Sequence, residues 1–533
     1  MRATPILPAP APADRPRSFG RRRAGCLIAV HLLIAAHIVH WRLAGRTLAP
    51  LELNEVVYTL ELGILTAGFV FMVLITLSVL LFGRFFCSWG CHILALQDLC
   101  AWLLEKVHIR PKPVRSRAML LTPLGVMGLM FLWPTAQRLL AGEPLPTWRV
   151  MRPEDPWGSF VTDDFWRNLP GPWIAGLTFL ICGFVIVYAL GSRSFCRYGC
   201  PYGAVFGLMD RLAPGRIVAR GDCSQCGACT AACQSHIRVH SELTVFGRVV
   251  DPQCLKDLDC VAACPEGAIG YGIAAPALFA SWKRGAVRRP RADYSWGEEL
   301  AIAAIIVLGV LIFRGLYDAL PLLLSVALAT LLAWIALTTW RVIGGVPVRA
   351  VRLTLARQGA VTLAGWGWLT GAFMVLLLTL HSASMRLHEV ALNRAYDATE
   401  QALARGDEPA AERHAATGVG HALALHRWGL IRPDGLLLRT ASLLEWTPHP
   451  RLAEPFLREL IDRGAHEPEA RLRLAALLAR DRRSAQAIEQ LELARRLIPA
   501  MPRETGERYQ QRLDQVAAMI ADTPEYSPGG GAG

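Results

Sequence analysis

Apolar and polar positions alternate along this chain on a long scale. Predominantly apolar runs recur at about 25–44, 61–83, 117–136, 172–191, 298–316, 318–340 and 359–381. Each is near the ~20 residues that an α-helix needs to cross a bilayer. The pattern predicts seven membrane-spanning helices. The third is the weakest, because Pro123 and Pro134 interrupt it and proline removes a helical hydrogen bond. Between the fourth and fifth runs lies a polar, cysteine-rich segment. After the seventh, residues 388–520 are rich in Ala, Leu, Arg and Glu with helical periodicity.

Composition agrees with the apolar runs. The chain of 533 residues is 53% hydrophobic, with a mean hydropathy of +0.32. It carries 56 Lys and Arg against 43 Asp and Glu, a net charge of +13. The excess sits beside the apolar runs. Arg21, Arg22 and Arg23 precede the first. Arg84, Lys106, Arg110, Lys112, Arg115 and Arg117 follow the second. Lys283, Arg284, Arg288, Arg289 and Arg291 follow the fourth, and Arg341, Arg349, Arg352 and Arg357 follow the sixth. The positive-inside rule places these loops in the cytoplasm and accounts for the charge without a nucleic-acid partner. The 137–170 loop sets Glu143, Glu154, Asp155, Asp163 and Asp164 against Arg138, Arg149 and Arg152, and is expected in the periplasm. Seven spans place residues 382–533 there too; a count wrong by one reverses this. The expected setting is a bacterial inner membrane, crossed several times. The Pro/Ala-rich residues 1–24 are expected to be a disordered cytoplasmic tail leading to an uncleaved anchor. The Gly-rich residues 521–533 are expected to be disordered as well.

Seven of the fourteen cysteines fall between Cys223 and Cys264. Cys223, Cys226, Cys229 and Cys233 form C-x2-C-x2-C-x3-C. Cys254, Cys260 and Cys264 follow, the last before Pro265. Bacterial-type ferredoxins wrap two cubane iron–sulfur clusters with this spacing, the fourth cysteine of each run reaching the other cluster. Zinc sites use separated pairs instead. The spacing assigns Cys223, Cys226, Cys229 and Cys264 to one cluster, and Cys254, Cys260 and Cys233 to the second. Asp257 stands where the second cluster's remaining cysteine belongs. Three outcomes stay open: Asp257 ligates iron through oxygen, the cluster holds three irons, or it is lost and Asp257 is a surface charge. A carboxylate is the harder donor, so a four-iron cluster there would be labile. Grouping at ligand spacing, not as a disulfide framework, points to a reducing compartment.

An internal repeat lies outside this segment. Gly-Arg-Phe-Phe-Cys-Ser-Trp-Gly-Cys at 83–91 follows the second apolar run, and Ser-Arg-Ser-Phe-Cys-Arg-Tyr-Gly-Cys-Pro at 192–201 follows the fourth. Arg84/Arg193, Phe86/Phe195, Cys87/Cys196, Gly90/Gly199 and Cys91/Cys200 match at one offset. Cys87, Cys91, Cys196 and Cys200 are candidates for a third cluster or metal site, or for a redox dithiol; buried thiols packed on aromatics are the plainer alternative. Cys91-His92 is only a distant relative of the C-x-x-C-H haem signal, on the wrong side of the membrane for haem attachment. His37 and His40 share a face of the first span with His31 nearby, and are candidates to bind haem or quinone or to sit at the interface. Glu52, Glu55 and Glu61 follow as candidate proton acceptors. Cys26, Cys100 and Cys182 read as structural.

The expected architecture is a membrane all-α bundle: a membrane domain over 25–216, an inserted two-cluster ferredoxin-like domain over 217–275, three further spans over 298–381, and a helical domain over 388–520. In that last domain Leu474, Ala475, Leu478, Ala487, Leu491, Ala494 and Pro499 fall close to the tetratricopeptide pattern. Gly406-Asp407 with Ala411 and Ala415 looks like an earlier unit, and Pro468 and Pro499 end two units; a generic helical bundle fits equally.

The order span, FCxxGC, span, FCxxGCP, two-cluster segment resembles the membrane polyferredoxin family of the NapH/NosR type, over about 60–300. The resemblance implies electron transfer between the quinone pool or a cytoplasmic donor and a periplasmic redox partner. The chain departs from that pattern at His92, at Gln234 and at Asp257. The expected function is membrane-bound iron–sulfur electron transfer, by a carrier more than a stand-alone enzyme. The alternative is a redox-sensing or assembly factor whose C-terminal repeats bind a client. An ion-pumping subunit is disfavoured, because no series of intramembrane carboxylates is present.

Overall fold

The computed structural model describes residues 18–48, 55–109, 114–142, 144–150, 161–162, 171–280, 293–350, 353–357, 359–498 and 503–521. The chain forms two compact units. One comprises Met1–Gly309 and Leu323–Leu369, the other Val310–Leu322 and Thr370–Gly533. Among the described residues six helices are long and apolar enough to cross a membrane: Phe19–Ala44, Met119–Leu140, Pro172–Leu190, Trp296–Phe313, Leu322–Ile343 and Leu363–Ala404.

The run at 61–83, expected to be one span, is divided. Glu55–Leu62 is a separate helix. Gly63 turns at φ 71, and Ala67–Phe82 is a helix of 16 residues. The second helix has its own N-terminal cap: Thr66 Oγ1 accepts from Phe69 N at 3.1 Å, and the Glu55 carboxylate accepts from Gly68 N at 2.5 Å. Orphan amides of a helix start need such acceptors, so the break is built in. The first helix begins at Ser18, ahead of the expected start at 25, so the end of the expected tail is ordered. Arg23 is the reason, being buried against Asp98 at 3.1 Å. Residues 1–17 lie outside the described residues, as do Glu52, Glu143, Glu154, Asp155, Asp163, Asp164, Lys112, the basic loop 283–291, Pro499 and the 522–533 end. The prolines of the Met119–Leu140 helix do not end it. Pro123 and Pro134 each sit in the first turn of a segment, and a π-helical stretch at Gly128–Leu132 precedes Pro134. Such bulges absorb a missing amide donor.

Short strand pairings tie loops of this unit together. Thr47–Leu48 pairs with Val161–Thr162, and Ile64–Leu65 with Arg149–Val150. The cysteine-rich segment is closed by antiparallel strands Gly215–Ala219 and Ile269–Ile273, in register from Gly215↔Ile273 to Ala219↔Ile269. Ile217, Ile237, Val239, Leu243, Val249 and Ile269 form its core with Cys229 and Cys260.

Further along the chain, expectation placed a span end at 381 and a new domain from 388. Leu363–Ala404 is instead one helix of 42 residues. No Gly or Pro occurs after Gly371 until Gly406, so nothing interrupts it. Gly406 turns at φ 73, and Asp407 caps the next helix through Ala410 N at 3.0 Å. The helices Glu408–Trp428, Asp434–Leu444, Glu454–Asp462, Glu467–Arg480, Ser484–Leu497 and Arg503–Ala521 follow. Leu474, Ala475, Leu478, Ala487 and Ala494 are fully buried between them, as the 3.6-residue period requires.

Candidate iron–sulfur sites

The two halves of the cysteine-rich segment take one backbone form. Gln225, Gly227 and His236 have φ 55, 77 and 56; the matching Lys256, Leu258 and Gly267 have φ 55, 64 and 65. Each loop runs into a one-turn helix, Ala228–Ala231 or Asp259–Ala262. Thr230 N donates to Gly227 O at 3.0 Å, and Val261 N to Leu258 O at 3.1 Å. Leu258 holds a left-handed conformation that glycine would adopt without steric cost. The second loop therefore keeps the shape of the first although Asp257 stands where the first loop has Cys226 and Leu258 where it has Gly227.

The thiols gather as the loops fold. Cys229 feels Cys223 and Cys226. Cys260 is pushed up by burial and then by Cys254, Asp257 and Cys233. Burial, Asp257 and Cys254 push Cys233 up to about 12. Burial raises Cys254 to about 11, against the pull of Lys256. Cys233 thus stands with the second loop, while Cys264 packs on the shared core. Buried, mutually repelling thiols ionise only beside positive charge, which an iron centre supplies; the donor set fits a thiolate-ligated cluster. Among the described residues no three His, Cys, Asp or Glu side chains converge as ligands of a single ion. A cubane is a cage wider than one ion, and its thiolates stand correspondingly further apart.

Asp257 has other partners. Its carboxylate is paired with Arg193, lies 3.9 Å from Arg23 Nη1, and accepts from Asp259 N at 3.2 Å. Arg193 also reaches Asp98 at 3.5 Å. Burial alone would raise the Asp257 carboxyl, but Arg193 and Arg23 hold it below the usual range. It is a buried anion already matched by two guanidiniums.

The FCxxGC repeat builds two equal corners. The helices Phe85–Trp89 and Ser194–Tyr198 each end at a glycine whose amide donates to the Phe carbonyl at 2.8 Å. A Cβ at Gly90 would lie 2.9 Å from the Phe86 ring, and one at Gly199 3.1 Å from the Phe195 ring. The motif needs glycine because phenylalanine covers that position. Cys91 and Cys200 then cap the helices His92–Lys106 and Pro201–Leu212. Cys91, raised to about 11 by burial and Cys87, and Cys200, raised to about 12 by burial, Cys91 and Cys87, face the other corner. Burial and the remaining three thiols raise Cys196 further. The four thiols thus lie near enough to feel one another's charge, with Arg84 hydrogen-bonded to Cys87.

The loop of Cys254 is fastened to the first corner. Ser88 Oγ donates to Leu255 O at 2.7 Å, Trp89 Nε1 to Lys256 O at 3.2 Å, and Arg84 Nη1 to Pro252 O at 3.2 Å. Lys256 Nζ reaches Asp210 at 2.5 Å. The histidines are used locally: His37 Nε2 lies 2.9 Å from Leu48 O, and His40 Nδ1 2.9 Å from Thr47 Oγ1. The Glu55 carboxylate caps a helix, as above. Cys100 is buried against Gly183. Arg193, Arg23, Asp98, Asp210 and Lys256 were missed as site residues. The signal for Arg193 was its match to Arg84 in the repeat.

Fold and site together define a membrane protein with a ferredoxin-type 4Fe-4S domain. A family model described as a 4Fe-4S binding domain matches residues 64–110 and 172–219. Those ranges hold both corners with Cys87, Cys91, Cys196 and Cys200. The chain is 27% identical over 259 residues to an Escherichia coli (strain K12) protein named for electron transport, YccM, covering 47% of this chain and 67% of that one. It is also 27% identical over 172 residues to the methylamine utilization ferredoxin-type protein MauN of Methylobacillus flagellatus, covering 32% and 52%. Against MauN of Paracoccus denitrificans it is 27% identical over 161 residues, covering 30% and 50%. The chain therefore spans about two thirds of the first relative's length and half of the others'. No solved structure matches.

Proposed function

We propose that this chain is a membrane-bound iron–sulfur electron relay. It joins a cytoplasmic donor or the quinone pool to a redox partner across the membrane. The observation that carries the reading is the fastening of the Cys254 loop to the Cys87 corner by Ser88, Trp89 and Arg84. Clusters, when bound, supply one-electron redox chemistry. Cys223, Cys226, Cys229 and Cys264 hold one, Cys233, Cys254 and Cys260 hold the second, and the quartet holds a third at the membrane surface. The names of the relatives, for electron transport and for ferredoxin-type proteins, support the same role. The ferredoxin segment faces the cytoplasm, and the C-terminal helices, whose buried Leu and Ala positions resemble tetratricopeptide units, dock the partner. Reduction of the full chain in liposomes by a quinol analogue, followed by its visible spectrum, tests the reading. Prompt bleaching supports it. Absent reduction with redox-dependent binding of a client would favour a sensing or assembly factor.

Asp257 in this reading is a counter-ion for Arg193, not an iron ligand. Asp257→Asn is expected to keep iron and the spectrum of the second cluster while weakening the contact with Arg193. Electron paramagnetic resonance of oxidised and reduced protein checks this. A changed second-cluster signal with loss of iron would make Asp257 a ligand.

A further inference from the structure

A cavity of about 180 Å³ opens in the first unit between the Ser194–Tyr198 corner, the Pro201–Leu212 helix and the ferredoxin segment. This is well beyond the ~10–15 Å³ that holds one water. Its polar wall carries Arg84, Arg193, Arg197, Arg211 and His236. Arg84 Nε, Arg193 Nη2, Arg197 Nε, Arg211 Nε and His236 Nε2 are all buried and have no hydrogen-bond partner. Arg84 and Arg193 are only 5% and 3% exposed. Guanidinium nitrogens only donate, and a buried donor without an acceptor is destabilising. The wall therefore calls for an acceptor with several oxygens. Arg193 is paired with Asp98 and Asp257, whereas among the described residues Arg197 and Arg211 have no carboxylate at ion-pair distance. Two cations without a carboxylate partner make this lining suited to an anionic acceptor.

The lining is also apolar in part. Leu120 and Leu124 begin the Met119–Leu140 helix, Leu190 ends the Pro172–Leu190 helix, and all three line the cavity with Leu208. Leu120, Leu124 and Leu208 are 38%, 44% and 47% exposed. Cations thus meet exposed leucines at the start of one apolar helix and on the Pro201–Leu212 helix, with Leu190, buried, at the end of a second apolar helix. Basic pockets between membrane helices at headgroup depth bind anionic lipid headgroups.

We propose that this cavity seats the phosphate of an anionic phospholipid. Arg197 and Arg211 donate to the phosphate oxygens, and the acyl chains lie along Leu120, Leu124 and Leu208. The inference rests on the membrane reading and not on electron transfer, so either can fail alone. The test is native mass spectrometry of the full chain, freed of lipid in detergent. It is titrated with phosphatidylglycerol, phosphatidylcholine, inorganic phosphate or a quinone analogue. One phosphatidylglycerol is expected to stay bound per chain, about tenfold or more tighter than phosphatidylcholine. Arg197→Gln with Arg211→Gln is expected to weaken it about tenfold, as loss of charge-assisted bonds requires, while Arg197→Lys with Arg211→Lys retains part of the binding. Iron content of each variant reports whether it has folded, and the lipid comparison on the unaltered chain needs no variant. Equal retention of both lipids, unchanged binding in a folded Gln pair, or full displacement by inorganic phosphate or the quinone analogue would overturn the proposal.

Discussion

Asp210→Asn is expected to destabilise the first unit by about 3–5 kcal/mol, the usual cost of removing one partner of a buried ion pair. Asp210 is fully buried. It receives Lys256 Nζ at 2.5 Å and Arg84 N at 3.2 Å, and lies 3.6 Å from Arg216 Nη2. Lys256 and Arg216 are 1% and 0% exposed, so neither cation finds water when the carboxylate is gone. Burial already lowers Arg216 from its ordinary value, and Asp210 is the largest opposing influence. The same carboxylate links the Pro201–Leu212 helix, the Cys254 loop and the first FCxxGC corner. Its loss should therefore release iron at lower temperature as well as lower the unfolding midpoint. Thermal unfolding in detergent, followed by the visible absorbance of the clusters, measures both. The pair Asp210→Leu with Lys256→Met removes one charge of each sign and should recover part of the loss. An Asp210→Asn protein as stable as the unaltered chain would mean that water reaches this network.

The second large effect concerns the quartet. Cys196→Ser with Cys200→Ser removes two of its four thiols and leaves only Cys87 and Cys91 at the site. The expected result is loss of about four irons and four sulfides per chain, one cubane's worth. The ferredoxin loops should remain loaded, because their thiols come from Cys223 to Cys264 and none from the corners. Reduction by a quinol analogue should fail in the same variant while chemical reduction of the remaining clusters persists. This separates a broken path from a misfolded protein.

The candidate sites were legible where ligand geometry is local. The x2 spacing at Cys223–Cys229 shapes one tight loop, and the constant offset of the FCxxGC corners identifies two copies of one device. The glycine of that motif has a visible cause, since Phe86 and Phe195 cover Gly90 and Gly199. The ion pair of Asp257 with Arg193 was hidden. At a cysteine position Asp257 reads as a substitute ligand, and its partner Arg193 lies 64 residues away in the chain. The hub at Asp210 was equally hidden, because its partner Lys256 lies 46 residues away in the chain. Helix ends were misjudged as well. Arg23 looked like a solvated tail residue but is drawn inward by Asp98. The run at 61–83 looked continuous, yet Gly63, Thr66 and Glu55 together end one helix and start another. The 363–404 helix runs past the change in composition because hydropathy falls there while helix propensity does not.

The most direct measurement is iron and acid-labile sulfide per chain in purified full-length protein, beside the Cys196→Ser/Cys200→Ser variant. The relay described above predicts about eleven to twelve irons in the unaltered chain, from the three cluster sites, and a fall of about four in the variant. Equal iron in both proteins, at about seven to eight per chain, would contradict a cluster at the corners and leave the path from ferredoxin loop to membrane without its last step.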